Sequence, residues 1–232
     1  RGVEVQILAC GSALLERYGA VVNVIRKEYP NVPITEVWTT YEGANLVTGA
    51  KETGALLVEL AAVLDRLQPS AVVVVADRHE VLAAAQAAAY LHLPLVHLQG
   101  GERTGSIDDR VRDAITQLAS VHCVSTSRAR SRVYGLTGAW EHIHVTGCPS
   151  LDLCAIVQQE ASWEAPVTVG ELGGVNGPWD LDDTYRPIVV LQHPVTNEMA
   201  DAGAQMRITL SAVSHLGPVL AFWPGEDAGA DL

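Results

Sequence analysis

The chain has 232 residues, a net charge of −12 and a 48% hydrophobic composition, enough to bury a sizeable core. Its acidity argues against nucleic acid or an anionic membrane surface as a partner. Mean hydropathy is +0.17, and no apolar run reaches the roughly 20 residues of a membrane span.

In chain order, Val3–Ala9 reads as an apolar-rich strand opening into Cys10-Gly11-Ser12, Tyr18–Arg26 as a short helix and Pro33–Trp38 as a strand. Gly49–Leu67 carries Leu56, Leu57, Leu60, Ala61, Leu64 and Leu67 at helical spacing and stops before Pro69. Val72–Val75 is apolar at every position, as expected of a parallel strand covered on both faces. The alternation continues as helix Leu82–Leu91, strand Leu93–Leu98, helix Asp108–Leu118, strand Val121–Ser125, helix Ser127–Tyr134 and strand Ile143–Thr146. Ser106 is the expected N-cap of the Asp108 helix, with Asp109 three residues on, as in a capping box.

Residues 156–186 have no period and several Gly, and read as a linker or insertion. Beyond them come strand Pro187–Leu191, helix Met206–Ser214 and strand Pro218–Trp223. Two strands and one helix are too few for an independent core. The expected organisation is an N-terminal Rossmann-like domain over 1–155, the linker, and the beginning of a second such domain over 187–232. The absence of an initiator Met is read as a sign of a fragment or a trimmed chain.

Cys10, Cys123, Cys148 and Cys154 form no C-x-x-C pair. They are expected to be free, buried thiols of a cytoplasmic protein, and no Cys/His spacing fits zinc. Arg1-Gly2-Val3-Glu4 lacks the features of a secretory signal. Cys123 and His122 adjoin in a strand and so point to opposite faces, which spoils them as nucleophile and base.

The chemistry concentrates between Val72 and Asp109. One apolar strand ends in Asp77-Arg78-His79-Glu80, the next in Gly100-Gly101-Glu102, and Asp108-Asp109 opens the following helix. Doubly wound α/β proteins place ligands at the carboxyl ends of their parallel strands. Three carboxylate positions and an Arg there suit proton transfer better than binding alone. The competing readings are plain: Asp77 as a helix cap, one of the Asp pair as a helix-dipole partner, Arg112 as an i,i+4 partner of Asp108, and His97 as a satisfied core histidine. His79, His92, His142 and His144 are expected to face solvent or to pack.

The ordered set ADRHE, GGERTGSIDDRVRDAITQLASVHCVST, VTGCPSLD, VVLQHPVTNE and FWPGEDAG resembles the hydrolysing UDP-N-acetylglucosamine 2-epimerases. These comprise the bacterial sialic-acid-pathway enzymes and the epimerase half of the animal bifunctional epimerase/N-acetylmannosamine kinase. The resemblance implies an α/β fold of two Rossmann-like domains facing a cleft, GT-B-like, with the second only partly present. It implies a UDP-sugar substrate, no cofactor, no metal and a homo-oligomer. The implied reaction removes the C2 proton, expels UDP from C1 to leave a 2-acetamidoglucal, and adds water to give N-acetylmannosamine.

Asp77, Glu102 and Asp108 map onto the family's acid/base positions. Arg78, Arg112, His193 and Asp109 map onto substrate-binding positions. A non-hydrolysing branch carries Glu where this chain has Gln99, and the acid here stands at Glu102, which favours the hydrolysing branch. The chain departs from the family at Ala76, where Gly is usual, at Ala13, where a His is usual, and at Gly225, where an Asn is usual. Those departures keep a non-catalytic UDP-sugar-binding module as an alternative. A glycosyltransferase of the same architecture has no need of three clustered carboxylates.

Overall fold

The computed structural model describes residues 2–41, 45–160 and 187–225. It forms two compact units, Arg1–Cys148 and Pro149–Leu232. Each is an alternation of parallel strands and helices, the α/β class expected from the sequence.

In the first unit, β1 (Ile7–Cys10) pairs in parallel with β2 (Ile34–Val37), with Ile7 opposite Ile34. A separate four-stranded parallel sheet runs in chain order: β3 (Val72–Val75), β4 (Leu95–Leu98), β5 (Val121–Val124) and β6 (Ile143–Val145). Its register sets Val72 opposite Leu95 and His97 opposite His122. The connecting helices are α1 (Val21–Glu28), α2 (Leu46–Leu67), α3 (His79–Tyr90), α4 (Asp108–Leu118) and α5 (Ser127–Thr137). The main core joins Leu56, Leu60 and Leu64 of α2 to Ala83, Ala87 and Ala88 of α3, over Val74, Leu95 and Ile115. Alanines on α3 let the two helices approach closely, so the core is built from large residues on one helix and small ones on the other.

Several boundaries differ from the sequence expectation for local reasons. The first strand begins at Ile7, because Val3 and Val5 are exposed and have no neighbouring strand to cover them. Helix α2 begins at Leu46 rather than Gly49: the Asn45 side chain accepts from the backbone N–H groups of Val47 and Thr48, and Asn45 N–H donates to the Thr48 hydroxyl oxygen in return. Helix α3 begins at His79 rather than Leu82, its first turn being occupied by an ionic network described below.

The second unit holds α6 (Pro149–Glu160), β7 (Ile188–Leu191), α7 (Ala202–Val213) and β8 (Val219–Phe222), with β7 and β8 parallel. Residues 156–160 are therefore helical where a linker was expected, and the rest of that segment lies outside the described residues. No helix among the described residues is long and apolar enough to cross a membrane.

Candidate functional site

The loops after β3 and β4 and the first turn of α4 meet at the carboxyl end of the four-stranded sheet, and their shapes follow from backbone constraints. Ala76 and Gln99, each the residue after its strand, adopt left-handed conformations with φ of 58° and 63°. Such values are uncommon outside Gly and are worth attention at a candidate site. At Ala76 the conformation is one that Gly, the residue expected there from the resemblance, adopts without steric cost. Gly101 has φ 78°, and a Cβ on it would lie 2.5 Å from the Ala129 carbonyl oxygen, so only Gly permits this approach to α5.

His97 is 0% exposed and holds the loop after β3 from beneath. A carbonyl can only accept, so His97 Nε2 donates to Ala76 O at 2.8 Å, and Nδ1 then accepts from the Thr116 hydroxyl at 3.2 Å. Burial pushes its pKa down and outweighs the opposing pull of the Ala76 bond, which keeps the ring neutral. The core reading of His97 holds.

Arg112 is the hub. It is 3% exposed. Its guanidinium pairs with Asp77 and with Asp109, at 2.9 Å to Oδ1 of the latter, and donates to the Glu102 carbonyl oxygen at 2.8 Å. One side chain thus ties together the loop after β3, the loop after β4 and the start of α4. The expected pairing of Arg112 with Asp108 does not form; Asp109, one residue closer, takes its place.

Asp109 does not close a capping box on Ser106 either. Its carboxylate accepts from Thr104 N at 2.8 Å and Gly105 N at 3.0 Å, which holds its pKa below the ordinary value, Thr104 N–H having the largest effect. Asp108 accepts from the Ser106 hydroxyl at 2.6 Å. The Glu102 carboxylate has no hydrogen-bonding or ionic partner among the described residues. His193 follows β7 in the second unit.

A second ionic group, not anticipated from the sequence, lies at the start of α3. Arg78 forks onto Glu80, with Nε 3.1 Å from Oε2 and Nη2 3.2 Å from Oε1. His79 reaches Glu80 through Nδ1 and Glu52 of α2 through Nε2, each at 3.3 Å. Glu52 and Glu80 are 3% and 7% exposed. The signal was available: Glu52 continues the apolar stripe of Leu56, Leu60 and Leu64 at four-residue spacing, and a carboxylate on a buried stripe needs a partner. His79 is accordingly an ion-pairing residue, not a solvent-facing one. None of the four cysteines is in a disulfide; Cys154 is exposed and the other three are half-buried, so the expectation of buried thiols is only partly met.

These features define a parallel α/β protein with an acidic, arginine-organised site at its strand ends. The UDP-N-acetylglucosamine 2-epimerase family profile matches residues 1–229, and the chain belongs to that family. It is 29% identical, over 231 residues, to a Legionella pneumophila UDP-N,N'-diacetylbacillosamine 2-epimerase (hydrolyzing), covering 99% of this chain and 58% of that protein. The chain thus spans just over half the length of the curated relatives that it matches.

Among solved structures, a Rickettsia bellii UDP-N-acetylglucosamine 2-epimerase superposes with a TM-score of 0.61 at 15% identity, covering 93% of this chain and 53% of the other. The Neisseria meningitidis UDP-GlcNAc 2-epimerase bound to UDP-GlcNAc gives 0.56 at 17% identity, covering 68% and 43%. The fold is that of these GT-B-like proteins, with the second domain partly present.

Proposed function

We propose that the protein is a hydrolysing 2-epimerase of a UDP-2-acetamido sugar, with UDP-N-acetylglucosamine or a 2,4-diacetamido relative as substrate. The observation that carries this reading is the Arg112 hub, which gathers Asp77, Asp109 and the Glu102 loop at one sheet end. The C–H beside an amide-bearing carbon is a weak acid, so its removal demands a closely held base. Asp77 is held in place by the buried Arg112 guanidinium. Glu102 and Asp108 supply further carboxyl groups for the second proton transfer, to or from water. In this reading Asp109 and Arg112 shape the sugar site, Arg78 faces the departing diphosphate, whose negative charge needs cations, and His193 is a substrate-binding residue of the second unit. The proposed reaction calls on no metal or cofactor. The printed name of the Legionella relative supports the hydrolysing outcome, and the acid at Glu102 agrees with it. A cytoplasmic homo-oligomer completes the proposal.

The test is a proton NMR time course of the intact protein with UDP-N-acetylglucosamine in deuterated water. Free UDP appearing together with N-acetylmannosamine deuterated at C2 is the expected result. UDP-N-acetylmannosamine as sole product would move the protein to the non-hydrolysing branch. Saturable UDP binding without C2 exchange would make it a binding module.

A further inference from the structure

The ionic chain Glu52–His79–Glu80–Arg78 lies outside the Arg112 hub, and the proposed chemistry uses only its last member. Its geometry is directional. Glu52 projects from the buried face of α2, His79 bridges it to Glu80, and Glu80 grips Arg78 with both carboxylate oxygens. Arg78 follows Asp77 directly and is the half-exposed end of the chain, its side chain 40% exposed. Glu80 also packs against the loop after β1: a Cβ on Gly11 would lie 2.5 Å from Glu80 Oε1. The carboxylate therefore occupies the space that a side chain at Gly11 would need, and its position is fixed from three directions.

We propose that Glu52 and His79 are positioning residues that act through Glu80 to hold the Arg78 guanidinium at the carboxyl end of β3, in the orientation that receives an anionic diphosphate. The inference rests on the function proposed above. Its physical basis is charge balance. Protonated His79 hydrogen-bonds Glu52 through Nε2 and sets its positive charge 3.3 Å from Glu80 at Nδ1, so one cation lies between two buried carboxylates. Loss of the proton removes that cation and leaves two buried negative charges against Arg78, which costs far more in a low-dielectric interior than at a surface. Glu52 Oε1 is already buried without a hydrogen-bond partner, so Glu52 has no second support.

The charged and titratable groups facing His79 are Glu52 from α2, Glu80 from its own helix and Arg78 from the preceding loop. Cys10 of β1 adjoins both carboxylates. Burial lowers the pKa of His79, but the Glu52 hydrogen bond and the Glu80 and Glu52 charges outweigh it and raise the value above 6.5. While both carboxylates are ionised, the bridge is therefore complete below that raised value and fails as pH rises through it.

The experiment uses the intact protein and its H79Q and E52Q variants, with UDP as the calorimetric ligand and the UDP-sugar as substrate, from about pH 6 to about pH 9, the range that spans histidine titration. Thermal melts establish that each variant is folded. Loss of a charge-assisted hydrogen bond in the relay should raise KM and the UDP Kd about tenfold, with kcat within about twofold, since ground-state and transition-state binding fall together. In the unsubstituted protein the UDP Kd should rise on the alkaline side, a limb that H79Q abolishes and E52Q moves to lower pH. The alkaline limb needs no substitution, so it tests the proposal even where a variant fails to fold. UDP binding that is indifferent to pH, or indifferent to both substitutions in folded protein, overturns the positioning role and leaves the proposed function standing. An intact protein that neither binds UDP nor acts on the sugar overturns the proposed function, and the positioning role with it.

Discussion

Substituting Arg112 by Leu tests whether the hub holds the site together. The change removes a 3%-exposed cation and leaves Asp77 and Asp109 facing each other, together with an unpaired Glu102 carbonyl. Breaking a fully buried ion pair from one side costs about 3–5 kcal/mol. The two carboxylates here are 17% and 16% exposed, and Asp109 keeps its bonds from Thr104 N and Gly105 N. Partial hydration and those bonds reduce the expected loss to about 2–4 kcal/mol. For a unit of this size that is a fall in Tm of roughly 5–15 °C.

Urea and thermal denaturation of R112L measure the loss. R112K should fall between, because one ammonium cannot serve three acceptors set in a fork. Adding D77N to R112L removes half of the stranded charge and should recover at least about 1 kcal/mol, a coupling expected only of groups in contact. A loss in R112L below about 1 kcal/mol, with no recovery in the double variant, would place Arg112 among ordinary surface pairs and refute the hub.

Three further outcomes follow from the same geometry. G101A combines a left-handed residue with a Cβ placed 2.5 Å from a backbone oxygen; it should cost about 2 kcal/mol or more and abolish turnover, read by denaturant midpoint and UDP release. His122 is 3% exposed and its pKa is pushed down to about 4, by burial first and then by His97 and His142. The unfolded chain takes up that proton near pH 6.5 and the folded one only near 4, so this group subtracts stability progressively as pH falls through that window, by roughly 3 kcal/mol in all. Urea midpoints at successive pH values should show the slope, and H122Q should flatten it. The Cys10 thiol is raised to about 11 by burial first, with Glu80 and Glu52 adding to it; iodoacetamide at about pH 8 should label it roughly a hundredfold more slowly than an ordinary exposed thiol, with exposed Cys154 reacting first in a peptide map.

The strands of the four-stranded sheet were legible as short apolar runs, but the expectation that β3 is covered on both faces fails, because Val73 and Val75 are exposed. Val72–Val75 needed no tertiary information to be placed. Helix starts were less legible because polar first turns carry no hydrophobic period. Asn45 and Thr48 begin α2 ahead of its first buried leucine, and His79 and Glu80 begin α3 ahead of its alanines. Helix α6 was not anticipated along any of its length, and its Leu151, Leu153, Ile156 and Val157 are all exposed.

The site was legible to the extent that its members are close in sequence. Asp77, Glu102 and Asp109 could be named from their places after strands, but the choice of Asp109 over Asp108 as the partner of Arg112 depends on where Thr104 and Gly105 point their N–H groups. The pairing of Arg112 with Asp77 joins α4 to the end of β3, which no local pattern encodes. Glu52 was hidden inside a stripe whose other members are leucines. The physical arrangement also explains why ADRHE is so informative. Within this one short segment Ala76 takes the left-handed turn, Asp77 faces the Arg112 hub, and Arg78, His79 and Glu80 form the ionic group that reaches Glu52 through His79. The turn at Ala76, held by His97, is what sends adjacent residues into two separate ionic clusters. Loosening either cluster should therefore move the other's shared backbone, which is why activity is expected to respond to substitutions as remote as Glu52.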